Sequence, residues 1–225
     1  MIYMTLEDPI RYIYNDLEEH IEVFTQLQEA KYLKTLESIA QRLIEMYELN
    51  LQHKIGNKSY WFGNGGSAEQ SERFTRNLRL ESSDNTARHL ATEFTIRFQG
   101  KKHRPSLPAV ALTDYVALTA AANDFGYDHI FSRQLEGYLK ENDIAIGIST
   151  SGKSKNIIEG LETAKRLKAV TVAFTGKNGL PGFTPDYLFA VPSERTSVIQ
   201  VAHLWGGQLI CDLVDQYFVE KYGAK

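Results

Sequence analysis

The stretch that decides the fold is DIAIGISTSGKSKN, Asp143–Asn156. It begins with a short apolar run that is typical of a buried β-strand, and it continues into a polar loop and a helix-forming segment. In a doubly wound parallel sheet, ligands bind beyond the carboxyl ends of the strands, where such loops lie. We therefore predict an α/β protein with a ligand site at the end of this strand.

The rest of the chain repeats this alternation. Four more short runs rich in Val, Ile, Ala and Phe end in turn signals: KSYWFGNGGS, PAVALTD, AVTVAFTG and DYLFAVPS. Such runs, separated by segments long enough for crossover helices, indicate a parallel sheet covered on both faces. Residues 7–54 and 197–222 instead carry apolar residues at helical spacing. No linker or repeat divides the chain, so we expect one domain over residues 1–225, with an N-terminal helical segment at 1–55.

Composition excludes several classes of protein. The 225 residues are 43% hydrophobic and carry a formal net charge of −3, which is the balance of a globular domain without a large nucleic-acid surface. The single cysteine, Cys211, cannot form an internal disulfide, and this fits a reducing compartment. The sequence shows no signal peptide and no run long enough to span a bilayer. We expect a soluble cytoplasmic protein that binds neither membranes nor nucleic acid directly.

The polar loop Ser149–Ser154, which we name the hydroxyl loop, predicts a phosphate site. Ser149, Thr150, Ser151 and Ser154 place four hydroxyls beside the N–H groups at a helix start, where anions bind. Serine and threonine are also common in helix caps and turns that hold no ligand. Four hydroxyls around one glycine favour phosphate, although the spacing is not that of a P-loop.

A second polar loop, FGNGGSA, follows the first predicted strand. Its glycines, such as Gly65, permit close approach of the backbone to a ligand, and Asn64 and Ser67 supply polar side chains. Because Ala68 stands where a third glycine would complete the dinucleotide-binding pattern, a dinucleotide site is disfavoured. Two polar loops at two strand ends are what a sugar-phosphate site in this kind of sheet needs.

Five motifs occur in an order that resembles one known family: GNGGSA, ALTAAANDFGYDHIFSRQLE, NDIAIGISTSGKSKN, TGKNG and IQVAHL. From about residue 60 to residue 214 the chain is similar to phosphoheptose isomerases of the sugar isomerase (SIS) superfamily. The resemblance implies an SIS-type three-layer α/β sandwich, with a five-stranded parallel sheet between helices, assembled as a homotetramer. It also implies interconversion of sedoheptulose 7-phosphate and a D-glycero-D-manno-heptose 7-phosphate for lipopolysaccharide or surface-sugar synthesis, in many members with zinc.

The family carries a histidine and, four residues later, a catalytic glutamate on the helix after GNGGSA. Counting without a gap puts Arg73 and Asn77 at these positions, whereas ARHLATEFTIRF further along supplies His89 and Glu93. We therefore expect an insertion of sixteen residues within about residues 68–88, forming an added helix or lid with an exposed, charged surface. The alternative for the two residues is an ordinary solvated pair on one helix face.

By resemblance, Glu93 would take the proton from the carbon beside the carbonyl, with His89 as its catalytic partner. The predicted substrate-binding residues are Asn64, Gly65, Ser67, Arg97, Asp124, Ser149, Thr150, Ser151, Ser154 and Gln200. The predicted zinc ligands are His89, Glu93, Gln200 and Gln208. A second group must move the hydroxyl proton of the enediol, and His89, His203 or a bound metal could do so.

Position 208 departs from the family pattern, which has histidine there. Gln208 cannot act as a general acid or base, and its carbonyl oxygen is a poorer zinc ligand than imidazole. His203 could replace the lost group if the helix were shifted, or it could be a packed or interfacial histidine. Three functions stay open at this point: the heptose isomerase, an isomerase for another phosphosugar, and a regulatory SIS protein such as the replication-initiator-associating proteins.

Overall fold

The computed structural model describes residues 8–65, 86–98 and 103–223. Its centre is a five-stranded parallel sheet with the strand order β2-β1-β3-β4-β5. The strands are β1 Ser59–Gly63, β2 Ala109–Ala111, β3 Ile144–Ser149, β4 Val170–Thr175 and β5 Tyr187–Ala190. The predicted five-stranded parallel sheet is therefore confirmed.

Seven α-helices within the described residues cover the sheet: α1 Pro9–Gln26, α2 Ala30–His53, α3 Thr86–Thr95, α4 Tyr115–Phe125, α5 Ser132–Tyr138, α6 Lys155–Arg166 and α7 Thr196–Tyr222. One hydrophobic cluster joins the first face of the sheet to α1, α2, α3 and α7. A second cluster joins the other face to α4, α5 and α6. The three-layer sandwich that the resemblance implied is confirmed.

The alternation of side chains along β3 explains how the two layers differ. Ile144, Ile146 and Ile148 belong to the cluster shared with α2, α3 and α7, whereas Ala145 belongs to the opposite cluster. A Cβ built at Gly147 would lie 3.0 Å from the Ile157 side chain of α6. Small residues on this face therefore let α6 pack closely against the sheet, with its first turn at the carboxyl end of β3.

The N-terminal segment is two helices, where the sequence predicted helical structure without a stated break. Helix α1 has a proline in its first turn, and the Asp8 carboxylate accepts a hydrogen bond from the backbone N–H of Arg11. The chain turns after Gln26 and continues as α2 from Ala30. No helix in the described ranges combines the length and hydrophobicity that a membrane span requires.

Candidate active site

The strand order places a switch point between β1 and β3, because the connections from these neighbouring strands lead in opposite directions along the sheet. Asn64 follows β1, and the hydroxyl loop follows β3. The Asn64 and Asn156 side chains exchange two hydrogen bonds of 2.8 and 2.7 Å, and the Tyr127 hydroxyl donates to Asn64 Oδ1 at 3.0 Å. The two predicted loops therefore meet at the position where ligands bind in such sheets.

Backbone contacts fix the shape of the hydroxyl loop. Gly152 has a φ of +67°, and a Cβ there would lie 1.7 Å from the carbonyl oxygen of Gly179. The backbone N–H of Gly176 donates to the carbonyl oxygen of Thr150 at 3.0 Å. Only glycine fits at position 152, so the loop after β3 is packed onto the loop after β4.

The hydroxyls of this loop are arranged around the start of α6. Ser149 Oγ donates to Ser154 Oγ at 3.1 Å, and the Ser154 side chain does not cap the helix. On the side of Thr150 and Ser151, the loop borders a cavity of about 340 Å³ that reaches the loops after β4 and β5. Lys153 and Lys177 also line this cavity, and so does Glu194, which pairs with Lys177 at 3.1 Å and leaves the lining with a net positive charge. The arrangement leaves hydroxyls and a cation available to an anionic group.

A second group of side chains lies where α3 contacts α7. His89 Nε2 lies 3.5 Å from Glu93 Oε1 and 3.4 Å from Gln208 Nε2. The predicted i, i+4 pair therefore exists on α3, and the residue at the departing family position contacts it. If Gln208 Nε2 donates to the ring, His89 is neutral with its proton on Nδ1.

Burial moves both titrating groups of this pair toward neutrality. Burial lowers the pKa of His89. Burial also raises the pKa of Glu93, the nearby Asp215 raises it further, and Arg104 opposes the shift. A carboxylate with a raised pKa is a stronger base than an exposed one, which suits abstraction of a proton from carbon.

Several other predicted site residues form no hydrogen bond or ion pair with His89 or Glu93 among the residues that the structure describes. Arg97 is exposed beyond the end of α3, and Asp124 is exposed on α4, where Asn123 donates a hydrogen bond to it. Gln200 is half-buried near the start of α7. Ser67 and most of the predicted insertion lie outside the described residues, as do Arg73 and Asn77. The substrate-binding roles given to these residues by resemblance stay predictions.

His203 is a core histidine, as the packing interpretation predicted. Its side chain is buried between Phe174 and Phe189, and Nε2 lies 3.0 Å from the carbonyl oxygen of Thr175. Burial lowers the pKa of His203 to about 4, so the ring is neutral near pH 7. It therefore does not take the place of the missing histidine at position 208.

Comparison with known proteins adds to this geometry. A family model described as SIS domain matches residues 83–176. A phosphoheptose isomerase of Thermodesulfovibrio yellowstonii is 39% identical, covering 99% of this chain and 98% of the relative. One from Aquifex aeolicus is 40% identical over 91% of this chain and 99% of the relative. The chain belongs to the phosphoheptose isomerase family.

Solved structures of the family have the same fold. A phosphoheptose isomerase from Francisella tularensis superimposes with a TM-score of 0.76 at 28% identity, covering 93% of this chain and 99% of that one. The enzyme from Neisseria gonorrhoeae gives a TM-score of 0.72 at 28% identity, covering 92% and 98% of the two chains. The fold and the family implied by the sequence motifs are thus both confirmed.

The donor set at α3 and α7 fits zinc only in part. Within the described part of the chain, no three His, Cys, Asp or Glu side chains are grouped closely enough to hold a metal ion. His89 and Glu93 are zinc-type ligands, and Gln208 adds an amide. Gln200 lies eight residues before Gln208 on the same helix, about 12 Å along its axis, so both side chains would have to extend along α7 to meet one ion.

The structure also reveals polar residues that the sequence reasoning missed. Asn156 ends the motif NDIAIGISTSGKSKN and is the second residue of α6. A polar side chain in the first turn of this helix could have been expected to face the loop after β1. Arg104 and Asp215 form a buried ion pair close to Glu93. They lie 111 residues apart in the chain, so no local pattern could join them. Cys211, also near Glu93, is buried, and burial raises the pKa of its thiol well above the ordinary value.

Proposed function

We propose that this protein interconverts sedoheptulose 7-phosphate and D-glycero-D-manno-heptose 7-phosphate through an enediol. The observation that carries the proposal is the contact of His89 with both Glu93 and Gln208, in a chain whose relatives are named phosphoheptose isomerases. These names favour an isomerase over a regulatory SIS protein. We further propose that the product enters lipopolysaccharide or other surface-sugar synthesis.

Each step of the reaction has a candidate residue. Glu93 removes a proton from C1 of the ketose, while the carbonyl oxygen at C2 gains a proton to give the enediol. Removal of the proton from the C1 hydroxyl and delivery of a proton to C2 then give the aldose. His89 is suited to moving the hydroxyl protons, because its pKa is lowered and its Nε2 lies 3.5 Å from the carboxylate.

The hydroxyl loop is the proposed phosphate site. Its hydroxyls, the N–H groups at the start of α6 and Lys153 can all donate hydrogen bonds to phosphate oxygens, and Asn64 lies beside them. An anchored phosphate would place the far end of the sugar at a fixed point. The remaining predicted substrate contacts, Asp124 and Gln200 among them, would be made along the sugar chain.

Zinc is a proposed but weakly bound partner. His89 and Glu93 would supply the nitrogen and the carboxylate, and an amide oxygen would complete a set that lacks the second imidazole of the family. Bound zinc would polarise the sugar oxygens. Because the donor set fits zinc only in part, the proton transfers described above rest on Glu93 and His89 alone.

We also propose a homotetramer, supported by helix α1. Its exposed residues Ile10, Ile13, Leu17 and Ile21 form an apolar stripe at helical spacing, which is unusual for a face that stays in water. Leu17→Lys together with Ile21→Lys should therefore produce a smaller assembly by sedimentation analysis. A wild-type monomer, or a double variant that sediments like wild type, would contradict this assignment.

The proposed activity is tested with purified protein and sedoheptulose 7-phosphate, after dialysis against chelator and with or without added zinc. The aldose product is followed by NMR, and fructose 6-phosphate is the matched control for another phosphosugar. We expect heptose conversion and little turnover of the hexose. Turnover of fructose 6-phosphate alone would show that the protein isomerises a different phosphosugar. Binding of sedoheptulose 7-phosphate without turnover would support a regulatory role.

A further inference from the structure

Arg104 has an unusual environment for an arginine. Its side chain is 2% exposed, and that of its partner Asp215 is 6% exposed. Nε donates to Asp215 Oδ1 at 2.5 Å, Nη2 donates to the carbonyl oxygen of Glu93 at 2.8 Å, and Nη1 donates to that of Phe94 at 2.9 Å. Nη1 also donates to the carbonyl oxygen of Pro105 at 2.9 Å. The guanidinium group therefore uses all three of its nitrogens in the interior.

These hydrogen bonds cap the C-terminal end of α3, the helix that carries His89 and Glu93. The last carbonyl groups of an α-helix have no partner within the helix, and a cation there also interacts favourably with the helix dipole. Arg104 satisfies the carbonyls of Glu93 and Phe94, while Ser106 Oγ donates to that of Thr95 at 2.7 Å. Arg104 and Ser106 thus hold the last turn of the helix, and one of these bonds is to the backbone carbonyl of Glu93 itself.

Asp215 connects this cap to the other helix of the site. It lies on α7 seven residues after Gln208, two helical turns along and on the same face. Ile210 and Cys211 lie between them and are buried in the core. At the residue before Gln208, a Cβ built at Gly207 would lie 2.3 Å from the Leu90 side chain of α3. The two helices therefore pack closely at Gly207, and Arg104 links them at a second point through its hydrogen bonds to α3 and its ion pair with Asp215 of α7.

We propose that Arg104 is a positioning residue. Through its ion pair with Asp215, it fixes the position of α3, which bears His89 and Glu93, relative to α7, which bears Gln208. The inference rests on the proposed function only in that Glu93 and His89 are taken as the reacting groups. Sliding or rotation of α3 would change the distances of 3.5 Å and 3.4 Å around His89 Nε2. A misplacement of about 1 Å at a reacting group can cost about 10²-fold in rate.

The chemistry of the guanidinium group explains why arginine stands there. Its planar fork can bind a carboxylate and several carbonyls at once, and it stays charged when buried. A lysine has one nitrogen, so it could keep the ion pair with Asp215 or some of the carbonyl contacts, but not all of them in the same geometry. Arg104→Lys therefore separates the charge from the geometry of the fork.

The test measures kcat and KM for Arg104→Met, Arg104→Lys and Asp215→Asn, with the folded fraction checked by circular dichroism. We expect Arg104→Met to lower kcat by about 10²-fold while KM changes by less than about threefold. Arg104→Lys should recover part of kcat. If Arg104→Met does not fold, the lysine and asparagine variants decide the question, because both keep a polar side chain of similar size.

The matched control is Lys221→Met, which removes another ion pair of α7, the one with Glu48 of α2 at 2.8 Å. It should lower stability without changing kcat. Unchanged kcat in the folded Arg104 variants, or an equal loss of kcat in the Lys221 variant, would overturn the proposal. A rise in KM at constant kcat would overturn it as well.

A measurement without substrate separates this inference from the proposed function. The chain has six histidines. In NMR spectra of histidine-labelled protein, the ring signal that is absent from His89→Gln belongs to His89. We expect the His89 signal to move in Arg104→Met and to stay in place in Lys221→Met. Wild-type protein that fails to convert the heptose but shows this pattern would leave Arg104 as a positioning residue of a different activity. An unmoved His89 signal would contradict the positioning role.

Discussion

At the scale of single residues, the site has one carboxylate, one imidazole and one amide in contact. Glu93 and His89 occupy adjacent turns of α3, and Gln208 approaches the ring of His89 from α7. A glutamine at position 208 leaves His89 as the imidazole of this cluster, and His203 is enclosed in the core. Proton transfer in this chain should therefore depend more heavily on the His89–Glu93 pair than in a site with two histidines.

Glu93→Gln tests the proposed base. It keeps the shape of the side chain but removes its basicity, so turnover of sedoheptulose 7-phosphate should fall by about 10²–10⁴-fold. Stability should change little or rise slightly, because burial already disfavours the charged form of this residue. Steady-state kinetics and thermal unfolding provide both numbers. Glu162→Gln, the same change at an exposed position of α6, is the matched control, and a Glu93 variant as active as this control would remove Glu93 from the mechanism.

Gln208→His tests the departing position. The new imidazole would restore a nitrogen ligand and a group that titrates near neutrality, so zinc content and turnover should both increase. We expect zinc affinity in the native protein to be about 10–100-fold lower than in the variant, the range seen when ligand support is weakened. Metal analysis after dialysis and kinetics with added zinc provide the comparison. A fully active native protein whose activity drops on substitution would show that the role assigned to position 208 is wrong.

At the scale of elements, strand ends and helix starts determine where ligand groups can lie. The apolar runs in the sequence predicted all five strands, because each strand is buried or half-buried between two helical layers. The loops after β1 and β3 were predicted to share a ligand, and the hydrogen bonds between Asn64 and Asn156 join them. Whether phosphate binds there stays a prediction.

Ser151→Ala combined with Ser154→Ala tests the hydroxyl loop. Phosphosugar affinity should fall by about tenfold or more, since each hydrogen bond to a charged group contributes roughly 1.5–3 kcal/mol. The loop is held by backbone bonds around Gly152 and Gly176, so thermal stability should remain nearly unchanged. Isothermal titration calorimetry with sedoheptulose 7-phosphate measures the affinity. Equal affinities for the variant and for a Thr119→Ala control on α4 would rule out the loop as the phosphate site.

Contacts between distant elements were beyond sequence reasoning for a physical reason. Helical periodicity reports which face of a helix is apolar, but it does not report which polar residue of another element meets that helix. Arg104 follows α3 and Asp215 lies in α7, and only the packing of the two helices joins them. The turn between α1 and α2 was missed for a different reason, because Leu27–Glu29 contains no glycine or proline to mark it.

At the scale of the whole molecule, two helical layers exclude water from the sheet, and a few polar groups are enclosed with the apolar ones. His203 is one of them: it is 1% exposed, and its Nδ1 has no hydrogen-bond partner among the described residues. Its neutral form is compatible with this environment, and its charged form is not. The stability of the entire fold is therefore linked to the protonation of one ring.

The sign of this linkage follows from the pKa of His203, which is lowered from 6.5 to about 4 on folding. The unfolded chain binds a proton below about pH 6.5, whereas the folded chain does so only near pH 4, so stability is present above that window and is lost as the pH falls through it. We expect His203 to account for a loss of about 1.5 kcal/mol between pH 6.5 and pH 5.

Urea unfolding of wild type and His203→Gln at several pH values measures this loss. The glutamine amide can still donate to the carbonyl oxygen of Thr175 but does not titrate, so the variant should lose less stability over the same range. Thr119→Ala, an exposed change on α4 that leaves the ring and every titratable group in place, should retain the full pH dependence. Parallel curves for wild type and His203→Gln would show that another group is responsible.

The enclosed thiol of Cys211 gives the contact between α3 and α7 a built-in reporter. Only the thiolate reacts with alkylating reagents, and here the thiol is both covered and held in its protonated form. Labelling must therefore wait until the two helices separate, so at a fixed reagent concentration its rate is proportional to the population of the opened state when reclosing is fast. Because the sequence has one cysteine, the time course of its modification reports the opening of the contact between α3 and α7 without any engineered label.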